Sequence, residues 1–139
     1  MAVATWLVDK SALIRLSQSP DIALWSERVS RGLVRMSSIT MMELAYSFRS
    51  PREASTAVQG MPLRAIPVEY LGQKAEVRAQ HIQWQLLADS QHRGVSVPDL
   101  LIAASAELSG HTLLHLDRDF ELIARQSGQP IERLAISGG

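Results

Sequence analysis

Apolar residues are distributed along this chain in short continuous runs that alternate with longer stretches in which they recur every three or four positions. A short continuous run predicts a strand buried on both faces, whereas the longer periodic stretches predict amphipathic helices. The strands predicted in this way cover residues 3–8, 33–36, 94–97, 111–116 and 131–136, and residues 63–68, interrupted by Pro67, are ambiguous. The predicted helices cover residues 11–16, 20–31, 40–48, 51–58, 70–91, 98–108 and 117–127.

The alternation of strands with helices determines the expected architecture. Parallel strands need long crossover connections, usually helices, and right-handed crossovers place those helices over both faces of the sheet. A chain of 139 residues has the length of one ordinary domain. We therefore predict an α/β fold with a parallel sheet, formed by a single domain over residues 1–139.

Four acidic residues lie close to the predicted strand ends. Asp9, Asp99 and Asp117 each follow a predicted strand, and Glu43 lies near the start of the helix after residues 33–36. The carboxyl ends of parallel strands meet at one edge of the sheet, where ligands bind in open α/β folds. Taken singly, each acid also has a local explanation, because acids are common at helix N-termini and Thr40 with Glu43 has the spacing of a capping box.

Carboxylates gathered at one edge need to be neutralised. Two of them about 5 Å apart repel by roughly 3 kcal/mol at an effective dielectric constant near 20, so protonation or a bound cation is required. The chain has no cysteine, and His111 and His115 are too far apart on a strand to share one ion. Because Mg²⁺ and Mn²⁺ prefer carboxylate and water oxygens, one of these ions is the expected ligand.

Composition narrows the class of protein further. Acidic and basic side chains balance at a formal charge of zero, without the basic excess of a sequence-independent nucleic-acid binder. The absence of cysteine excludes a disulfide framework and fits a reducing compartment. The apolar run at residues 2–8 lacks a basic flank and is too short for a signal peptide or a membrane span. We expect a cytoplasmic protein without membrane association.

The acids stand within sequence strings that resemble those of a known family. These strings are LVDKSAL at 7–13, ITMMELA at 39–45, VPDLLIAASAE at 97–107 and LHLDRDFELIA at 114–124. In this order and spacing they resemble the acidic motifs of PIN-domain nucleases, and specifically of VapC toxins. The resemblance covers nearly the whole chain.

Several expectations are implied by this resemblance. It implies a PIN-like three-layer α/β/α sandwich, a Mg²⁺-dependent endoribonuclease that also accepts Mn²⁺, structured RNA such as tRNA as the substrate, a homodimer, and inhibition by a cognate antitoxin. Lys10 departs from the family, which often has a small hydroxyl residue there. The implied site consists of Asp9, Glu43, Asp99 and Asp117, with Asp119 as a further metal ligand and Ser11 as a hydroxyl that supports Asp9.

Other side chains are candidates for holding the RNA or a protein partner. The tryptophans Trp6, Trp25 and Trp84 are expected in the core or at an interface, since they lie in an apolar strand and on helix faces. The arginines near the predicted strand-end rim are Arg15, Arg49, Arg52, Arg93 and Arg118. An apolar surface for an antitoxin helix, partly core, is expected at Met36, Met41, Met42, Leu44 and Phe48.

Two other functions remain open from the sequence. The apolar strand followed by Asp117 and Asp119 has the Asp-x-Asp pattern of a HAD-like phosphatase, although that motif normally opens its fold and a downstream lysine is missing. Alternatively, the acids serve only as helix caps in a non-enzymatic binding module.

Overall fold

The computed structural model of the chain describes residues 3–137 and every side chain among them except that of His92. Residues 1, 2, 138 and 139 of the predicted domain lie outside the described residues. The strands are β1 (Trp6–Val8), β2 (Val34–Ser37), β3 (Val68–Glu69), β4 (Thr112–His115) and β5 (Ile131–Arg133). The helices are α1 (Lys10–Leu13), α2 (Ile22–Ser30), α3 (Ser38–Ser47), α4 (Pro51–Gln59), α5 (Gln73–Ala88), α6 (Val97–Leu108) and α7 (Asp119–Ser127). Short 3-10 turns occur at Leu16–Gln18, Leu63–Ala65 and His92–Gly94.

The strands form one sheet in the order β3-β2-β1-β4-β5, and every neighbouring pair is parallel. In the central strand, Leu7 is opposite Arg35 on one side and Leu113 on the other. The predicted α/β fold with a central parallel sheet is confirmed. Since all strands point the same way, their carboxyl ends share one edge of the sheet, and that edge carries the acids described below.

The two faces of the sheet are covered by different helices because successive strand residues point to opposite sides. Leu7 and Leu113 pack in a core with residues of α5, α6 and α7. Trp6, Val8 and Leu114 pack in a second core with residues of α1, α2 and α3. All these strand residues are at least nine-tenths buried, as expected for continuous apolar strands in a three-layer sandwich.

One predicted strand is wrong, and a segment that the sequence left ambiguous leads into a strand. Residues 94–97 form no strand, because Ser96 caps α6 by accepting a hydrogen bond from the Asp99 N–H at 3.2 Å, and the helix already begins at Val97. The outer strand β3 comes instead from the end of the ambiguous segment at Val68–Glu69, after Pro67. Pro67 therefore precedes the ladder, and its carbonyl accepts from the Met36 N–H at 3.0 Å.

The tryptophans have different environments. Trp6 and Trp25 are buried, and their rings meet edge to face with centroids 5.3 Å apart. The Arg28 guanidinium carbon lies 4.3 Å from the Trp6 ring centroid and 4.5 Å from that of Trp25. Trp84, by contrast, is 69% exposed on α5, so it contributes nothing to the core of a single chain. Within residues 3–137, no helix has the length and apolar character needed to cross a membrane.

Candidate active site

Asp9 lies directly after β1 and caps α1. Its Oδ2 accepts from the Ser11 backbone N–H at 3.0 Å and from the Ser11 hydroxyl at 2.7 Å. The same hydroxyl oxygen accepts from the Leu116 N–H at 2.9 Å, just beyond the end of β4. Ser11 therefore joins the ends of two neighbouring strands and fixes the Asp9 carboxylate. Both described bonds fall on Oδ2, which leaves Oδ1 without a hydrogen bond among the described residues.

Three other carboxylates come together at the same edge. One oxygen from each of Asp99, Asp117 and Asp119 lies within 4.8 Å of the other two, which is a separation that one cation can bridge. Asp117 follows β4, and its Oδ1 accepts from the Asp119 N–H at 2.9 Å, at the start of α7. Asp99 lies in the first turn of α6. This closest set includes Asp119 and not Asp9, whereas the sequence analysis placed Asp119 only as an additional ligand.

Glu43 reaches the cluster from a different position than the sequence suggested. Ser37 caps α3 by accepting from the Ile39 N–H at 3.1 Å, so the predicted capping box of Thr40 with Glu43 is wrong. Glu43 lies in the middle of the helix, more than a turn from its start. Its Oε1 is buried and has no hydrogen-bond partner among the described residues. A buried acceptor of this kind needs a bound water or ion.

The electrostatics of the cluster are those of crowded, partly desolvated acids. Burial raises the pKa of Asp99 to about 7, and the charges of Asp9 and Asp117 add to the effect. Burial and the charge of Asp9 also raise the pKa of Glu43. The pKa of Asp119 is raised by burial and by Asp117, although Arg118 opposes this shift. Each raised pKa means that ionising the carboxyl costs free energy at this site, and a nearby cation would remove that cost.

These residues fit a divalent metal ion. The donors are carboxylates only, which suits the hard ions Mg²⁺ and Mn²⁺ better than zinc. Three observations favour a cation at this edge of the sheet. They are the convergence of the carboxylate oxygens, the raised pKa values, and the buried Glu43 Oε1 that has no hydrogen-bond partner among the described residues. Asp99, Asp117 and Asp119 can hold such an ion, and the charges of Asp9 and Glu43 also act on Asp99.

His115 is a site residue that the sequence analysis did not identify. It is buried at the end of β4, and its ring packs at a tilt of 56° against that of Phe120, with centroids 5.6 Å apart. Its Nδ1 accepts from the Asp117 N–H at 3.2 Å. The neutral ring is required for this bond, and burial lowers the pKa of His115, which favours that form. The only available sequence signal was its position two residues before Asp117.

The predicted RNA-binding arginines lie in different environments. Arg118 adjoins both Asp117 and Asp119 in the chain, and its charge acts on Asp119. Arg15 is exposed and donates to Gln18 Oε1 at 3.2 Å, within its own turn of the chain. Arg49, Arg52 and Arg93 are exposed as well. The structure therefore connects Arg118 most directly with the acidic cluster.

Comparison with known proteins agrees with this geometry. The family profile described as "PIN domain" matches residues 6–126. Ribonuclease VapC2 of Mycobacterium tuberculosis is 50% identical over 129 residues, covering 93% of this chain and 92% of the relative. Ribonuclease VapC51 of the same species is 35% identical over 133 residues, covering 96% and 95%.

Solved structures show the same fold at lower identity. A chain of the DNA-bound VapBC of Salmonella typhimurium superposes with a TM-score of 0.76 at 22% identity, covering 94% of this chain and 98% of that chain. VapBC2 of Rickettsia felis, bound to a promoter DNA fragment, gives a TM-score of 0.76 at 15% identity, covering 93% and 98%. The arrangement of helices around the sheet is therefore that of these solved chains.

Proposed function

The chain belongs to the PIN-domain family, and within it to the VapC ribonucleases, and on this basis we propose that it is the toxin of a type II toxin–antitoxin pair that cleaves structured RNA. The expected substrate is tRNA, and the expected cofactor is Mg²⁺, with Mn²⁺ able to replace it. The observation that carries the proposal is the convergence of Asp99, Asp117 and Asp119 oxygens within 4.8 Å, beside the strand-end acid Asp9.

The side chains have distinct roles in the proposed reaction. Asp9, Asp99, Asp117 and Asp119 would hold a divalent ion, and Glu43 would be a further ligand, directly or through water. When bound, such an ion lowers the pKa of the attacking water and offsets negative charge that builds up on the phosphate. Burial and the charges of Asp9 and Asp117 raise the pKa of Asp99, so a cation held beside it would favour its ionised form. Ser11 holds Asp9 in place, and His115 fixes the backbone of Asp117.

The two alternatives from the sequence are less well supported. Membership in a ribonuclease family argues against a HAD-like phosphatase built on Asp117 and Asp119. A non-enzymatic binding module would use its acids only as helix caps. Asp99 does not fit this description, because Ser96 already caps the helix and the pKa of the Asp99 carboxyl is raised.

Cleavage can be tested with purified protein and total RNA in the presence of Mg²⁺. We expect new RNA ends that map to structured RNA, and we expect EDTA to prevent them. Asp9→Asn and Asp117→Asn remove charge from the site with little change in shape and should abolish cleavage. Asp21→Asn changes an exposed acid that makes no side-chain cap bond and should cleave normally. Full activity in both site variants would refute the proposed active site.

The proposed antitoxin has a suitable docking groove. A cavity of about 260 Å³ lies between α1, α2 and the segment at Met61 and Pro62, and Leu13, Leu16 and Ile22 provide much of its apolar lining. Of the surface expected around α3, Met36 and Leu44 are buried, Met41 and Phe48 are partly buried, and Met42 is 64% exposed. We propose that an apolar antitoxin segment binds in the groove at Met61, because amphipathic helices bind in grooves of this kind.

The proposed homodimer has a candidate interface on α5. Val77, Trp84 and Leu87 are 57%, 69% and 46% exposed along this helix, and Leu108 of the adjoining α6 is 50% exposed. These exposed apolar side chains, referred to below as the α5 stripe, favour a protein contact, and a second copy of the chain is the occupant we propose. We also propose that residues 1–139 form a single PIN domain that acts in the cytoplasm, where its RNA substrate would be found.

A further inference from the structure

A second charged site adjoins the acidic cluster on its α7 side. A cavity of about 400 Å³ is lined by three arginines, one glutamate and one leucine. These residues, referred to below as the arginine pocket, are Arg118, Glu121, Leu122, Arg125 and Arg133. The chain as a whole has no net charge, so three guanidinium groups around one carboxylate form a local concentration of positive charge.

The pocket arises from helix geometry and from one neighbouring strand. Arg118 lies at the start of α7, and Leu122 and Arg125 follow it at spacings of four and three residues. The three side chains therefore lie on one face of the helix. Arg133 reaches the same cavity from β5, which packs beside β4. Because Arg118 lies between Asp117 and Asp119 in the chain, the pocket begins where the acidic cluster ends.

The pocket arginines make few contacts with other side chains, in contrast to Arg28, Arg35 and Arg78. Arg35 pairs with Glu69, Arg78 pairs with Glu107 at 2.7 Å, and Arg28 stacks on two tryptophans. Arg133 makes only a long contact of 3.7 Å with Glu121, in which both side chains are about half exposed. Among the described residues, Arg118 and Arg125 take part in no ion pair. Their donors are therefore available to an anion.

We propose that the arginine pocket binds the phosphodiester backbone of the RNA strand next to the cleaved bond. This inference rests on the proposed RNA cleavage at the acidic cluster. Guanidinium groups bind phosphate oxygens in a bidentate way and remain charged at every relevant pH. An acidic site repels a polyanion, so neighbouring cations must hold the strand while its scissile phosphate lies at the carboxylates. The turn carrying Arg93 adjoins the pocket, since a Cβ placed on Gly94 would lie 3.9 Å from Leu122 Cδ1.

The test measures RNA binding separately from cleavage. A fluorescently labelled tRNA pool is titrated with the full chain in EDTA, at salt concentrations from about 50 to 400 mM, and affinity is read from anisotropy. The variant Arg125→Ala/Arg133→Ala should bind at least tenfold more weakly at low salt. Its plot of log affinity against log salt should be shallower by about 0.7 to 0.9 for each arginine lost. Arg125→Lys/Arg133→Lys should keep most of the slope, because it keeps the charge.

Controls separate this proposal from the proposed function. Arg31→Ala, an exposed position at the end of α2, should bind RNA like the wild type. If the double alanine variant is folded and keeps the wild-type affinity and salt slope, the arginine pocket is not an RNA site, even where the wild type cleaves RNA. If the variant loses binding while the wild type cleaves no RNA, the pocket binds RNA, but the nuclease proposal fails and so does the placement of the pocket next to a cleaved bond. Loss of antitoxin binding with unchanged RNA binding would also overturn the inference.

Discussion

Replacing Asp99 by Asn should stabilise the metal-free protein, and the effect should grow with pH. The pKa of Asp99 is about 7 in the folded chain, against an ordinary value of 3.8. The folded state therefore holds this proton more tightly than the unfolded state, so the free energy of unfolding falls as the pH rises from about 4 to 7. Asn is neutral at every pH, so the substitution removes the free-energy cost of ionising Asp99 in the folded state.

The size of the effect follows from the shift. A rise of about three pKa units corresponds to about 4 kcal/mol once the pH is above 7. Asp99 is only partly buried, and solvent screening reduces this to about 2 kcal/mol. For a chain of 139 residues, unfolding entropy converts 1 kcal/mol into about 3 °C. We expect Asp99→Asn to raise the melting temperature by roughly 6 °C at pH 8 and by roughly 2 °C at pH 5.

Thermal unfolding in EDTA, followed by circular dichroism at both pH values, measures this difference. Asp21→Asn is the matched control, and its melting temperature should stay within about 2 °C of the wild type. Mn²⁺ should then raise the melting temperature of the wild type by mass action and leave that of Asp99→Asn nearly unchanged. A destabilised Asp99→Asn, or a gain that is equal at pH 5 and pH 8, would refute the idea that Asp99 is ionised at a cost.

Four further outcomes are expected. Ser11→Ala removes the hydroxyl bonds to Asp9 and Leu116. It should lower the free energy of unfolding in urea by about 1–3 kcal/mol and should slow RNA cleavage at least tenfold. Ser11→Thr should restore most of the stability and most of the cleavage. Arg28→Ala removes the cation contacts with two tryptophans. It should lower the free energy of unfolding by about 1–2 kcal/mol and leave RNA cleavage unchanged. Trp84→Ala should shift the proposed dimer towards monomer in light scattering. Met61→Glu should abolish antitoxin binding, because it places a charge in the apolar groove.

Two of these outcomes have a control variant on the same chain. Tyr70→Ala alters another exposed aromatic residue outside the α5 stripe and should leave the oligomeric state unchanged. Leu24→Glu adds a charge at an exposed position of α2 that does not line the groove, and it should bind antitoxin normally. Cleavage by Ser11→Ala at the wild-type rate would show that the bonds to Asp9 and Leu116 do not position the acid. Dimers that survive Trp84→Ala would place the interface elsewhere.

The sequence alone determined the sheet and two of its acids. Strands β1 and β4 are continuous apolar runs, which are stable only when buried on both faces, so the parallel sheet followed from local pattern. Asp9 comes directly after β1 and Asp117 comes two residues after the end of β4, and the end of a parallel strand fixes the edge at which the following residues lie. The positions of these two carboxylates therefore needed no knowledge of distant contacts.

Only the tertiary structure decided how the remaining groups are arranged. Asp99 enters from a helix that follows a 3-10 turn, and Glu43 enters from the middle of α3, so neither position is set by a strand end. The pKa of Asp99 depends on burial and on the charges of Asp9 and Asp117, which are far away in the chain. The arginine pocket likewise joins α7 to β5. Local pattern specifies elements, whereas distances between side chains on different elements depend on how those elements pack.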